Sequence, residues 1–319
     1  AGGRKTRELI QEVFLKAYGN PIIERLEDSA EIDFKRNRLA FSTDAFVISP
    51  PFFEGGDIGK LAVCGVANDL ACKGAKLKYL ALSFIIEEGF EIDAVKKIAL
   101  SVRKAAEELG AMVVCGDTKV IEKGKGDGIF VSASGVGEII YDGEIGADML
   151  YPGAIVIITG QIAQHEASII SARENFSPPI KSDLDFIWDI VESILPYKPL
   201  MLRDPTRGGL ATVLNEIAIA AGLSITIDEN EIPIAEDVRA VADMLGLDPL
   251  YMASEGQCVI FAHEKYAQQI VETIKKTKTK AYPSIIGKVT YGKGVYLQTK
   301  WGGSRPLIML EGEQLSRIC

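Results

Sequence analysis

Residues 41–75 read FSTDAFVISPPFFEGGDIGKLAVCGVANDLACKGA, and the spacing of the apolar residues changes once inside this stretch. Residues 38–49 are rich in apolar and β-branched side chains and stop at Pro50-Pro51, which predicts a strand with Asp44 inside it. After the turn at Gly55-Gly56, Asp57 suits an N-cap, because its carboxylate can accept from the first unpaired helical N–H groups. Ile58, Leu61, Ala62, Gly65, Val66, Asp69 and Leu70 then recur at helical spacing until Gly74 ends the run. The alternation continues outward. Residues 77–86 predict a buried strand, 93–109 an amphipathic helix stopped at Gly110, 111–115 a strand leading into Gly116-Asp117, and 128–136 a further strand. Upstream, 7–18 predicts a short amphipathic helix closed by Gly19-Asn20-Pro21.

The pattern restarts at about residue 150. Strands are expected at 154–159, 224–227, 258–262, 284–289 and 295–297, with helices at 183–193, 210–221, 236–245 and 265–275. Strands alternating with helices in both halves predict an α/β (α+β) protein of two domains, 1–150 and 151–301. The mostly polar stretch 302–319 reads as an extended, flexible tail. A length of 319 residues agrees, at about 150 residues per domain.

Composition narrows the function. With 35 Lys and Arg against 44 Asp and Glu, the formal charge is −9, which argues against non-specific nucleic-acid binding. A chain that is 47% hydrophobic and 25% charged is not disordered throughout. The apolar run 79–86 falls far short of the roughly 18 residues a membrane span needs, so no membrane association is expected. The first thirty residues are charged throughout and predict no signal peptide. Of five cysteines, none forms a CxxC pair, and two histidines leave little for a zinc site. Cys64, Cys72, Cys115 and Cys258 sit among apolar neighbours and read as small buried hydrophobes, in keeping with a reducing cytoplasm. Cys319 differs, because it closes a polar tail.

Neither common phosphate loop is present: GGDIGK at 55–60 is followed by Leu61 instead of Ser or Thr, and KGKGDG at 123–128 follows no strand-to-helix turn. Acidic residues at element ends offer another route. Asp44 in FSTDAF, Asp69 in GVANDLACKGA, Asp117 in VVCGDTKV and Asp204 in MLRDPTRGGLA could hold Mg²⁺, which takes one or two carboxylates together with substrate phosphates. Each of them could also be an ordinary turn or cap residue. Asp69 is the hardest to place so, since a carboxylate mid-helix on an apolar face needs a partner.

Taken with SEGQ at 254–257 and the terminal RIC, these strings resemble the hydrogenase maturation factor HypE family over essentially the whole chain. That family lies in the superfamily of aminoimidazole ribonucleotide synthetase, selenophosphate synthetase and thiamine-phosphate kinase. The resemblance implies a two-domain aminoimidazole-ribonucleotide-synthetase-like fold, with an N-terminal α/β domain that binds ATP and dimerises and a C-terminal α/β domain packed against it. It implies ATP-dependent dehydration of a carbamoyl group on Cys319 to a thiocyanate. A partner carbamoyltransferase would load the group, and a scaffold complex would receive the cyano group for the iron of [NiFe]-hydrogenase. The implied cofactors are ATP and Mg²⁺, with Asp44, Asp69 and Asp117 on the metal. Asn68, Thr118, Lys119, Asp204 and Arg207 join them around ATP.

The residues suit that chemistry. A carboxamide oxygen leaves poorly until it is phosphorylated, so the work is positioning and charge neutralisation. Lys119 could offset charge on the γ-phosphate or be a solvated lysine after a strand. Arg203 and Arg207 flank Asp204 ahead of a helix start, facing either phosphate or the carboxylate between them. Glu255 is the candidate base, or a plain turn residue. His165, in TGQIAQHEASI where the family reads closer to GDHG, stands outside the core set, and the family's glycine-rich arm begins here at Ala1-Gly2-Gly3. Selenophosphate synthetase carries its reactive Cys or selenocysteine near the N-terminus, where this chain has none. A non-catalytic thiol carrier regulated by nucleotide would release no phosphate in step with tail modification.

Overall fold

A computed structural model describes residues 30–33, 38–278, 281–312 and 314–319. The expected helix at 7–18 lies outside them.

The first half is a five-stranded sheet in the order β1-β2-β7-β5-β6, formed by β1 (Ala30–Asp33), β2 (Arg38–Phe46), β5 (Ala75–Glu87), β6 (Met112–Ile121) and β7 (Ile129–Ile139). A small hairpin of β3 (Phe52–Phe53) and β4 (Gly56–Asp57) leads into helix α1 (Ile58–Ala71). The Asp57 carboxylate caps α1 as expected, accepting from Gly59 N at 2.7 Å and Lys60 N at 3.2 Å. Helix α2 (Ile92–Leu109) makes the crossover between the parallel pair β5 and β6 and stops at Gly110, whose φ of +67° is left-handed. Twelve of the fourteen residues of α1 are buried, so it is apolar on nearly every side. It lies between the sheet and the second half, and so both its faces need covering.

Close approach explains two glycines of β7. A Cβ on Gly135 would come within 2.4 Å of the Val66 side chain of α1, and one on Gly137 within 3.0 Å of the Lys76 carbonyl. The sequence predicted a strand buried on both faces at 77–86. β5 is instead covered on one face, because its Leu77, Leu80 and Leu82 pack against the helices while Tyr79 and Ile85 are 46% and 42% exposed. β6 also runs further than the expected 111–115, and carries Asp117, Thr118 and Lys119 inside the strand.

The second half is a seven-stranded sheet in the order β14-β13-β10-β12-β8-β11-β9. Its strands are β8 (Ile155–Ile158), β9 (Met201–Arg203), β10 (Ser224–Asp228), β11 (Val259–Ala262), β12 (Ser284–Thr290), β13 (Gly294–Gln298) and β14 (Ser304–Pro306). Only β10 and β13 pair in parallel. Helices α3 (Gln164–Glu174), α5 (Gly209–Ala221) and α6 (Glu236–Leu245) cover one face, and α4 (Trp188–Ile194) and α7 (Glu264–Thr277) cover the other. Neighbouring residues of β8 point to the two cores, Val156 and Ile158 to one and Ile157 to the other.

Three expectations need correction. The helix predicted at 183–193 starts only at Trp188, because side chains from other elements take the preceding carbonyls: Lys60 bonds Leu184 O and Asn68 bonds Asp185 O. The helix α3 was missed, since most of its residues are buried on all sides and leave no amphipathic period. The tail is docked, not extended: Ser304–Pro306 pairs with β13, and Leu307 and Ile318 are 1% and 6% exposed.

Replacing Gly135 by Ala should overpack the α1 contact and lower unfolding free energy by about 1–3 kcal/mol, measurable by denaturant titration.

Candidate active site

The site forms where β2 and α1 of the first half meet the loops of the second. Asp44 is on the helix-facing side of β2, two residues beyond Ser42, whose hydroxyl donates to Asp69 Oδ2 at 2.5 Å. This bond supplies the partner that a carboxylate in mid-α1 requires. The loop that leads into α5 brings up Arg207, whose Nη2 reaches Asp44 Oδ1 at 3.2 Å across the two halves. Partial desolvation works against the Arg207 charge, although its side chain is 57% exposed, but Cys319, Asp44, Glu255 and Asp69 act on it and hold its pKa above the ordinary value.

Carboxylates crowd this guanidinium. Glu255 is 2% exposed, and burial together with Asp204, Asp183 and Asp44 pushes its pKa well up, with Arg207 opposing. Burial raises Asp204 to about 6, with Asp44 adding to the rise and Arg203 and Arg207 working against it. Asp183 is raised to about 6 for the same first reason, although Glu255 N donates to it at 3.3 Å. Nothing in the sequence pointed to Asp183, because it fell within a predicted helix. Arg203 pairs with Glu216 of α5 at 3.0 Å while its charge also acts on Asp204.

Asn68, expected at ATP, has another task. Its Nδ2 donates to Asp185 O and Glu255 O at 3.0 and 3.2 Å, and its Oδ1 accepts from Ile187 N at 3.0 Å. This buried amide therefore fastens α1 to the segment that carries Glu255. Asp117, Thr118 and Lys119 are not brought to the cluster. They lie on the edge strand β6, three strand positions from β2, or roughly 14 Å at about 4.8 Å per step. The register pairs Asp44 with Ala133, Ala133 with Leu82, and Ser83 with Asp117, so Asp117 points to the face opposite Asp44. Lys119, paired with Ile85, shares that open face.

No three His, Cys, Asp or Glu side chains form a metal-holding group among the described residues. The donor set still suits Mg²⁺, because that ion takes one or two carboxylates and completes its shell with phosphates and water. Here Asp44 and Asp69 supply hard oxygens beside a buried acidic surplus.

The tail ends in this cluster. Val47 N donates to Cys319 O and Ser49 N to Arg317 O, each at 3.3 Å, so the last residues lie antiparallel to the chain leaving β2. A cavity of about 260 Å³ opens beside them, lined by Arg207, Gly208, Thr212, Tyr251 and Cys319 among others. His165 reaches the tail as well, with Nε2 at 2.9 Å from Ile318 O and Nδ1 at 2.9 Å from Ser182 Oγ. A carbonyl only accepts, so Nε2 carries the proton. Burial lowers the His165 pKa to about 4, which keeps the ring neutral.

Comparison with known proteins accounts for this arrangement. Residues 26–139 match the N-terminal domain model of AIR synthase related proteins, and 152–300 match the C-terminal one. The chain is 41% identical to the carbamoyl dehydratase HypE of Azotobacter vinelandii, covering 100% of this chain and 95% of that protein. It belongs to the HypE family. A crystal structure of a HypE–HypF complex superposes with a TM-score of 0.87 at 41% identity, covering 93% of this chain and 98% of that one. A HypE in complex with ATP superposes with a TM-score of 0.84 at 38% identity, covering 100% and 98%. No helix among the described residues is long and apolar enough to cross a membrane.

Asp183 offers a test of the buried acidic cluster. Its folded pKa lies above the ordinary carboxylate value, so the folded state holds the proton more tightly. The stabilisation is complete below about pH 4 and is lost as pH rises through about 6. Asp183→Asn should therefore raise stability by about 2–3 kcal/mol at pH 7.5 in metal-free buffer. The difference from wild type should shrink towards zero at pH 4, as followed by thermal melts across pH.

Proposed function

We propose that this chain is an ATP-dependent carbamoyl dehydratase that converts an S-carbamoyl group on Cys319 to a thiocyanate. The observation that carries the reading is the lodging of Cys319 beside Arg207, which pairs with the half-buried Asp44 and feels the buried Glu255. Phosphoryl transfer from ATP to the carboxamide oxygen, with loss of one N–H proton to water, makes an O-phosphorylated imidate and ADP. Loss of the remaining N–H proton then expels phosphate, and the nitrogen electron pair completes the C≡N bond. Glu255 is the base for this proton. Its burial and acidic neighbours raise its proton affinity towards what neutral-pH base catalysis needs. Arg207 offsets charge at the phosphoryl group, and Asp204 positions it. Mg²⁺ held by Asp44 and Asp69 supplies charge neutralisation for the polyphosphate. Asn68 keeps Glu255 in place through the backbone.

Asp117, Thr118 and Lys119 enter this scheme through a homodimer. They lie on the uncovered side and edge of the first sheet, where Phe41, Tyr79 and Ile85 are 39%, 46% and 42% exposed. Two such faces packed together place Asp117 and Lys119 at the seam between the subunits, where they meet a nucleotide that reaches the seam, Asp117 as a further metal ligand and Lys119 towards the γ-phosphate. In this scheme residues 1–150 bind ATP and dimerise, 151–301 complete the site, and 302–319 carry the reactive thiol. The partners are a carbamoyltransferase that loads Cys319 and a scaffold complex that takes the cyano group for [NiFe]-hydrogenase iron, in the cytoplasm.

Three outcomes follow. Glu255→Gln should retain ATP binding but slow thiocyanate formation by about 10²–10⁴-fold, read by intact mass spectrometry of carbamoylated protein given ATP. Cys319→Ala should form no cyanated species at all. For the dimer, Ile85→Glu should leave a species of 34.5 kDa in sedimentation and lose dehydration, because Lys119 no longer meets a nucleotide at the seam.

A further inference from the structure

Each carbonyl of the last four residues is bonded from outside the tail. Arg173 Nη2 donates to Ser316 O at 2.8 Å and to Arg317 O at 2.6 Å, His165 Nε2 to Ile318 O at 2.9 Å, and Val47 N to Cys319 O at 3.3 Å. Arg173 Nε also donates to Ser49 O at 2.7 Å, so one guanidinium clamps the tail to the strand it lies against. Ser182 fixes the His165 ring from the other side. Among these residues one tail side chain is fully engaged: Ile318, at 6% exposure, packs into the core formed by α1 and the first sheet. Arg317 turns out through a left-handed φ of +59° and pairs with Asp127 at 2.9 Å, on the glycine-rich loop at 123–128.

We infer that His165, Arg173 and the chain at 47–49 form a receptor for the C-terminal tetrapeptide, in which His165 and Arg173 are positioning residues that set the place of the Cys319 sulfur. These contacts read backbone carbonyls and the Ile318 side chain, so the receptor recognises the tail by its backbone and its apolar anchor, and discrimination between a thiol, a carbamoyl and a cyano group falls to groups such as Glu255. Ile318 sets the register. A slip by one residue would move the sulfur by about 3.4 Å, and in the forward direction it would press a charged Arg317 into the apolar pocket. Loading by a separate enzyme requires the tail to leave, and ordinary hydrogen bonds with one apolar anchor allow that without unfolding either half. This assignment of purpose rests on the carbamoyl dehydratase reading, whereas the docking itself does not.

Arg173→Ala is the primary test, since Arg173 is half-buried, and His165→Ala is the second. In each full-length protein, iodoacetamide alkylation of Cys319 is followed on the C-terminal peptide 314–319 released by a Glu-specific protease. Loading by a carbamoyltransferase, ATP binding, and single-turnover thiocyanate formation are measured on the same samples. Losing hydrogen bonds to a charged donor should speed alkylation of Arg173→Ala about tenfold or more. Dehydration should slow by a similar factor, while loading and ATP binding stay unchanged. A merely structural role would not separate these readouts. Alkylation at the wild-type rate in Arg173→Ala would overturn the docking, and faster alkylation with undiminished dehydration would overturn the positioning role. A wild-type protein that dehydrates nothing would instead sink the carbamoyl dehydratase reading, and the alkylation rates alone would still decide whether the receptor exists.

Discussion

Buried carboxylates from both halves of the chain must be compensated at one place, and the site is arranged around that requirement. Asp44 comes from the first half, Asp204 and Glu255 from the second, and all three feel Arg207. Burying such groups separately would cost several kcal/mol each, so their convergence makes sense only if something positive is shared. Arg207 shares its charge across the two halves through Asp44. Burial outweighs that guanidinium, which is why these carboxyl groups hold their protons more tightly than usual.

The packing around this cluster limits how the halves can move. Helix α1 is apolar on nearly all sides because the sheet covers one face and the second half covers another. Asn68 adds three hydrogen bonds to the backbone at 185, 187 and 255, in a place where an unmade bond would be expensive. The catalytic segment at 253–257 is consequently fixed to α1 and not to its own sheet alone. The tail is held through its backbone carbonyls and through the buried Leu307 and Ile318.

The open face of the first sheet is a second constraint with a functional reading. β-sheets with exposed aromatic and aliphatic residues on a whole face are rarely left so. The same face carries Asp117 and Lys119, which the register turns away from Asp44. Within one chain the acidic motifs are therefore divided between the two faces of the sheet.

Much of this was legible from local pattern. The strand–helix alternation, the cap at Asp57, the stop at Gly110 and the helix at 236–245 follow from backbone chemistry that neighbours in sequence determine. The acidic motifs and the terminal Cys carried the family resemblance, since side-chain identity survives in sequence whatever its neighbours in space. Partnership in space was not legible. Asn68 looked like a nucleotide ligand because its motif sits beside Asp69, and only packing shows its amide bonded to the backbone of residues 117–187 positions away. Asp183 was hidden because carbonyl-capturing side chains from α1 keep residues 183–187 from coiling into a helix. The tail looked extended because its few apolar residues, Leu307 and Ile318, show no period, and they are buried in cores assembled from distant parts of the chain. Sequence by itself determined which chemical groups the protein has and which local elements carry them. Tertiary structure decided which of those groups meet, because burial and register depend on residues far apart in the chain.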